Sequence, residues 1–181
     1  MDNRKVQLVV VTEDLQQTVL IRRFFVALGF EPHKIRVVSC PAGTQSGEQF
    51  VRERYPVELR ACRSKAAHLA IKLVIVLDAD KRTVEERSLQ LLESLRAQDL
   101  PDRDAGEAVV LLIPKRNIET WIHYLQGRSV DEDTVYEKLR RQGDCRVAVT
   151  RLLELHRSGW VLPMDCPDSF RRAVMELRRI L

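Results

Sequence analysis

Three short runs of aliphatic residues, Val6–Val11, Leu73–Leu77 and Ala108–Ile113, constrain this chain more than any other feature it has. Each is rich in Val, Leu and Ile, is bounded by polar or turn residues, and lacks the polar alternation of a strand with one wet face. Such runs read as strands buried on both sides, which is what a parallel sheet covered by helices requires. Ile35–Ser39 is a weaker fourth candidate. Between the first and the fourth, Leu15–Leu28 has apolar residues at 15, 19, 20, 24 and 28, with Asp14 placed to cap it and Gly29 to end it. Thr83–Ala97 repeats the pattern before the polar linker Asp99–Glu107. Strands alternating with amphipathic helices predict right-handed crossovers, so the expected fold is α/β, an open, mainly parallel four-stranded sheet flanked by helices.

The rest of the chain is helical in its spacing. Ser46 is placed to cap a short helix ending near Tyr55. Beyond Leu125, helices are predicted over Glu132–Gln142, Arg146–His156 and Ser169–Ile180. The expected organisation is an α/β domain over residues 1–127 with a helical extension, residues 128–181, packing back on it. The 181 residues suit one core, and 45% hydrophobic with 31% charged residues excludes a disordered or low-complexity chain. The amino terminus carries an acidic residue at once and too short an apolar run for a leader or a membrane span, so a cytoplasmic protein is expected. Cys40, Cys62, Cys145 and Cys166 lack metal-finger spacing and read as free thiols.

The net charge is +4, and its cations are 23 Arg against seven Lys. That bias favours fixed-geometry recognition of phosphate or carboxylate. The carboxylates gather where the strands end. The first strand runs into Thr12-Glu13-Asp14, the third into Asp78-Ala79-Asp80, and the fourth into Pro114-Lys115-Arg116-Asn117-Ile118-Glu119. In an open parallel sheet, ligands collect at the carboxyl ends of the strands. Two carboxylates about 4 Å apart repel by about 4 kcal/mol at an effective dielectric near 20, so a cluster there holds a cation or shares a proton. Magnesium or manganese suits an all-oxygen set. Residues i and i+2 at a strand end point the same way, so Asp78 and Asp80 are expected to reach one ion; as a competing role, Asp80 caps the helix beginning near Thr83. Glu119 sits in a first turn capped by Asn117, where the helix dipole favours a carboxylate regardless of function. Ile118, Trp121, Ile122 and Leu125 make the apolar stripe of that helix, and His123 pairs with Glu119 at i, i+4 as a candidate proton-transfer group. Lys115 and Arg116 are candidate phosphate contacts, as are Arg60 and Arg63 within the Arg-rich stretch 52–63.

A buried strand ending in Glu13, a helix ending in Leu28-Gly29-Phe30, and a later strand ending in Asp78-x-Asp80 resemble the topoisomerase-primase (TOPRIM) pattern. PKRNIETWIHYL resembles the closing IE-x-W motif of small TOPRIM-like proteins of bacterial defence loci. The likeness covers about residues 5–125, and Asp14 departs from the family's usual glycine. It implies a nuclease acting on DNA or RNA with magnesium or manganese held by Glu13, Asp78 and Asp80, Glu119 assisting. It further implies an antiviral role beside an ATPase on a separate chain, because no Walker motif occurs here. Two other readings fit the residues: a degenerate binding or regulatory subunit whose Arg-rich surface docks a partner, and a receiver-like phosphoacceptor, which needs five strands where four are counted. Self-association is compatible with all of these.

Overall fold

A computed structural model describes residues 6–181; the first five residues of the amino-terminal stretch read above lie outside it. The chain is an α/β protein built on a four-stranded, all-parallel open sheet. Its elements are β1 (Leu8–Thr12), α1 (Leu15–Ala27), β2 (Ile35–Ser39), α2 (Gly47–Lys65), β3 (Lys72–Val76), α3 (Val84–Arg96), β4 (Val109–Leu112), α4 (Ile118–Leu125), α5 (Arg146–Arg157) and α6 (Asp168–Leu177). The strands lie in the order β2-β1-β3-β4. All five residues of β1 are buried, as its unbroken apolar run requires.

Alternate residues of each strand feed two cores. Leu8, Val10, Val74, Val76, Val110 and Leu112 face α1, α4, α5 and α6, while Val9, Val11, Leu73, Ile75 and Val109 face α2 and α3. This split follows from crossover handedness. The step from β1 to β2 runs one way along the sheet, and the steps from β2 to β3 and from β3 to β4 run the other way. Right-handed connections then place α1 on one face and α2 and α3 on the opposite face. The last helices are part of the first core: Cys145, Ala148, Leu152, Phe170, Val174 and Leu177 join the cluster that contains β1 and β3 residues.

Two segments differ from the sequence expectation. The helix capped by Ser46 runs 19 residues rather than ending near Tyr55. Pro56 forgoes one backbone bond, but Val51, Tyr55 and Leu59 continue a buried stripe through it. Conversely, residues 132–142 contain no α-helix. The Asp131 carboxylate accepts from the Asp133 and Thr134 amides (2.9 and 2.6 Å) and from the Thr134 hydroxyl (2.8 Å). Such local side-chain bonds compete with helix formation. Further on, the Tyr136 carbonyl accepts from Asn117 Nδ2 at 2.9 Å instead of from a helical amide.

β4 is an edge strand, and its open side is covered by side chains from the tail. Glu176 of α6 accepts from the Leu111 amide at 2.8 Å and from Arg103 Nη2 at 2.9 Å, while Arg103 Nη1 donates to the Val109 carbonyl at 3.0 Å. The pair satisfies the edge and blocks further strand pairing. Glu176→Ala should therefore cost about 2–4 kcal/mol, since it strands a half-buried guanidinium and a backbone donor, whereas Met175→Ala on the exposed side of α6 should change stability by less than about 0.5 kcal/mol. Urea unfolding of the two variants tests the contrast.

Candidate functional site

β1 and β3 are neighbours whose following connections leave in opposite directions, so a crevice opens between their carboxyl ends. Glu13 follows β1 and Asp78 follows β3, which places both at that switch point. Glu13, Asp78, Asp80 and Glu119 all line one cavity of about 540 Å³ at this edge of the sheet.

Gln17 sets the geometry of the floor. Its Oε1 accepts from the Glu13 amide at 3.0 Å and its Nε2 donates to Asp78 Oδ1 at 3.0 Å, so one buried amide ties the two strand ends together. Asp14 caps α1 by accepting from the Gln17 amide at 2.9 Å, which holds that glutamine in place. On the other side the start of α2 presses on Glu13. A Cβ on Gly47 would lie 2.7 Å from Glu13 Cβ and 2.8 Å from its carbonyl oxygen, so only glycine fits there.

Asp78 is 5% exposed and Glu119 1% exposed. Glu13 Oε2 and Glu119 Oε1 are buried and have no hydrogen-bond partner. Burial, then the charges of Asp80 and Asp14, push the Glu13 carboxyl up from 4.5 to about 8. Burial followed by the charges of Glu13, Asp14 and Glu119 raises Asp78 well above its ordinary value. Glu119 is raised by burial and by Asp14. Three carboxyls shifted upward around one cavity mark a surplus of negative charge that the protein itself does not neutralise.

Asp80 lines the same cavity from its exposed side. The chain leaves the extended conformation at Asp80, whose φ is +55°, a region that Asp tolerates better than most residues. Its side chain is 62% exposed and lies 3.7 Å from Arg87 Nη2. It is not the helix cap either: Thr83 caps α3 in a reciprocal box with Glu86. Arg87, 2% exposed, also pairs with Glu48 at 2.6 Å and forms a cationic wall on the Asp80 side. Among the described residues, no group of three or more His, Cys, Asp or Glu is arranged to hold a metal as it stands. Magnesium, however, keeps most of its waters and needs only one or two protein carboxylates. The all-oxygen floor and the two orphaned oxygens fit such an ion.

The cations divide. Arg116 donates to the Asp80 carbonyl at 3.0 Å and accepts from the Asp80 amide at 3.2 Å through its own carbonyl, so it stands at the cavity rim. Lys115 Nζ donates to the Arg82 carbonyl at 3.2 Å beside it. Arg60 and Arg63 are not brought here. They lie about 20 Å along α2 from Gly47, at 1.5 Å per residue, where Arg60 donates to the Gln98 carbonyl and Arg63 pairs with Glu107 at 2.6 Å. His123 is engaged by Arg128. Its Nδ1 lies 2.8 Å from Arg128 Nη1, and burial followed by the Arg128 charge lowers its pKa, which keeps it neutral. Trp121 is structural, donating to Ser169 Oγ at 2.8 Å and stacking edge-on with Phe170. Sequence reasoning missed Gln17, Gly47, Arg87 and Lys138; among them only Gly47, next to the Ser46 cap, carried a local signal.

No protein-family model, curated protein or solved structure matches this chain.

A carboxyl held protonated in the folded state favours folding, so the Glu13 contribution is complete below about pH 4.5 and is lost as pH rises toward 8. Stability should fall across that window. Glu13→Gln should flatten the fall and stabilise the protein near pH 8 by about 2–5 kcal/mol. Urea titrations at both ends of the window test this, and a wild-type profile that does not decline would contradict it.

Proposed function

We propose that the protein is a magnesium- or manganese-dependent nuclease that hydrolyses phosphodiester bonds of DNA or RNA. The observation that carries the reading is the pair of buried, unpartnered carboxylate oxygens, Glu13 Oε2 and Glu119 Oε1, on the same cavity as Asp78. A divalent ion held by Glu13, Asp78 and Glu119 would supply Lewis-acid polarisation of the phosphoryl group and a more acidic attacking water. Gln17 would keep the Asp78 carboxylate in fixed orientation against the Glu13 backbone as charge is added. Asp80, 3.7 Å from Arg87 Nη2, stands at the exposed side of the cavity.

The rim supports a phosphate-bearing substrate. Lys81, Arg82 and Arg116 border the cavity and no aromatic side chain lines it, so the substrate would be held by its backbone rather than by stacked bases. Binding should then be salt-sensitive and largely independent of sequence. The likeness of Glu13, Asp78-x-Asp80 and the Ile118–Trp121 segment to the TOPRIM pattern supports the same reading, though a parallel α/β sheet is common to many folds. It also suggests a role in antiviral defence beside a separate ATPase.

One observation favours a second reading, a degenerate regulatory or binding subunit. Arg87 already supplies a buried cation to Asp80 and Glu48. One experiment decides between the two. The purified chain is incubated with single- and double-stranded DNA and RNA in Mg²⁺ or Mn²⁺, with and without a neighbouring ATPase, beside Glu13→Ala, Asp78→Ala and Glu119→Gln. Cleavage that drops on the order of 10²–10³-fold in the variants is expected. No cleavage in any condition, or cleavage indifferent to all three changes, leaves the regulatory reading.

A further inference from the structure

The non-helical segment 128–141 crosses the mouth of the cavity, contributing Val135 and Lys138 to its lining. Side chains of the segment leading into α4 and of α4 itself pin it there. Asn117 Nδ2 donates to the Tyr136 carbonyl at 2.9 Å. The His123 ring packs 5.2 Å from the Tyr136 ring. With residue 136 held, Lys138 is delivered to the cavity, its Nζ 3.4 Å from Asp14 Oδ2. The charges of Asp14, Glu119 and Asp78 all favour the protonated amine, with that of Asp14 the strongest influence.

This ammonium sits where a cation is in demand. Asp14 replaces the small residue that the resemblance anticipates, and its Oδ1 is committed to capping α1 while Oδ2 turns to Lys138. Glu119, 1% exposed, has its unpartnered Oε1 on the same cavity. The Lys138 side chain is itself 76% exposed, and exposed ion pairs of this kind add little stability, so the ammonium fills the position and its removal leaves the carboxylates in place.

Building on the cation-dependent reading above, we propose that the Lys138 ammonium occupies a second cation position of the cavity, bounded by Asp14, Asp78 and Glu119, which a divalent ion takes when that side chain is removed. The segment 128–141 thereby sets how many ions the cavity holds.

Mn²⁺ binding to the full chain, followed by the EPR signal of free Mn²⁺ and by calorimetry, tests this without reference to activity. Lys138→Met should bind one more ion per chain than wild type. Lys138→Arg, which keeps the charge, should match wild type, and adding Asp14→Asn to Lys138→Met should remove the extra ion while preserving the helix cap. Equal stoichiometry in wild type and Lys138→Met overturns the proposal, as does an extra ion in Lys138→Arg or one that survives Asp14→Asn. If wild type binds one ion and Lys138→Met also binds one, only this inference falls. If neither binds any, the metal reading of the cavity falls with it.

Discussion

The right-handedness of β-α-β crossovers is the constraint on which the rest of this structure depends. Because β1 sends its helix to one face and β3 sends its helix to the other, the two adjacent strands separate at their carboxyl ends and leave a crevice that no crossover can fill. Whatever residues follow β1 and β3 must face each other across it. Here they are Glu13 and Asp78, and the protein accepts the electrostatic cost of burying them together. Gln17, held by the Asp14 cap, fixes the Asp78 carboxylate against the backbone of Glu13.

Around this floor the cations are placed at specific points rather than spread. Arg87 compensates Asp80 and Glu48 on one flank, Lys138 approaches Asp14 on another, and Arg116 is bolted to the Asp80 backbone at the rim. What is left uncompensated is the centre, Glu13, Asp78 and Glu119. A net charge of +4 thus hides an acidic pocket with a basic margin, the polarity that suits an ion below and a phosphate above. The tail is not an accessory to this arrangement. Glu176 closes the sheet edge, Ser169 receives Trp121, and the segment after α4 supplies Lys138.

Much of the fold was legible because its signals are local. Unbroken aliphatic runs place four strands, helical spacing and the caps at Asp14 and Ser46 place helix starts, and Glu13, Asp78 and Glu119 announce themselves by following strands. The expectations that differ have local reasons of another kind. Pro56 looks like a stop but is carried by a buried stripe that continues past it. The 132–142 stretch has helical spacing, yet the side chains of Asp131 and Asn117 claim its backbone groups. Asp80 stands at the exposed side of the cavity, where the backbone has a positive φ.

From the amino-acid sequence alone follow the parallel α/β class, the strand-end carboxylates and the surplus of arginine, since these depend on residue type and near-neighbour spacing. Only the tertiary structure decided which charges meet. Arg60 and Arg63 belong to the same helix as Gly47 but lie at the far end of the sheet, while Lys138, more than a hundred residues from Asp14, lies beside it. Pairing across such distances is set by crossover handedness, helix length and the anchoring of one extended segment, and none of these leaves a periodic mark in the chain.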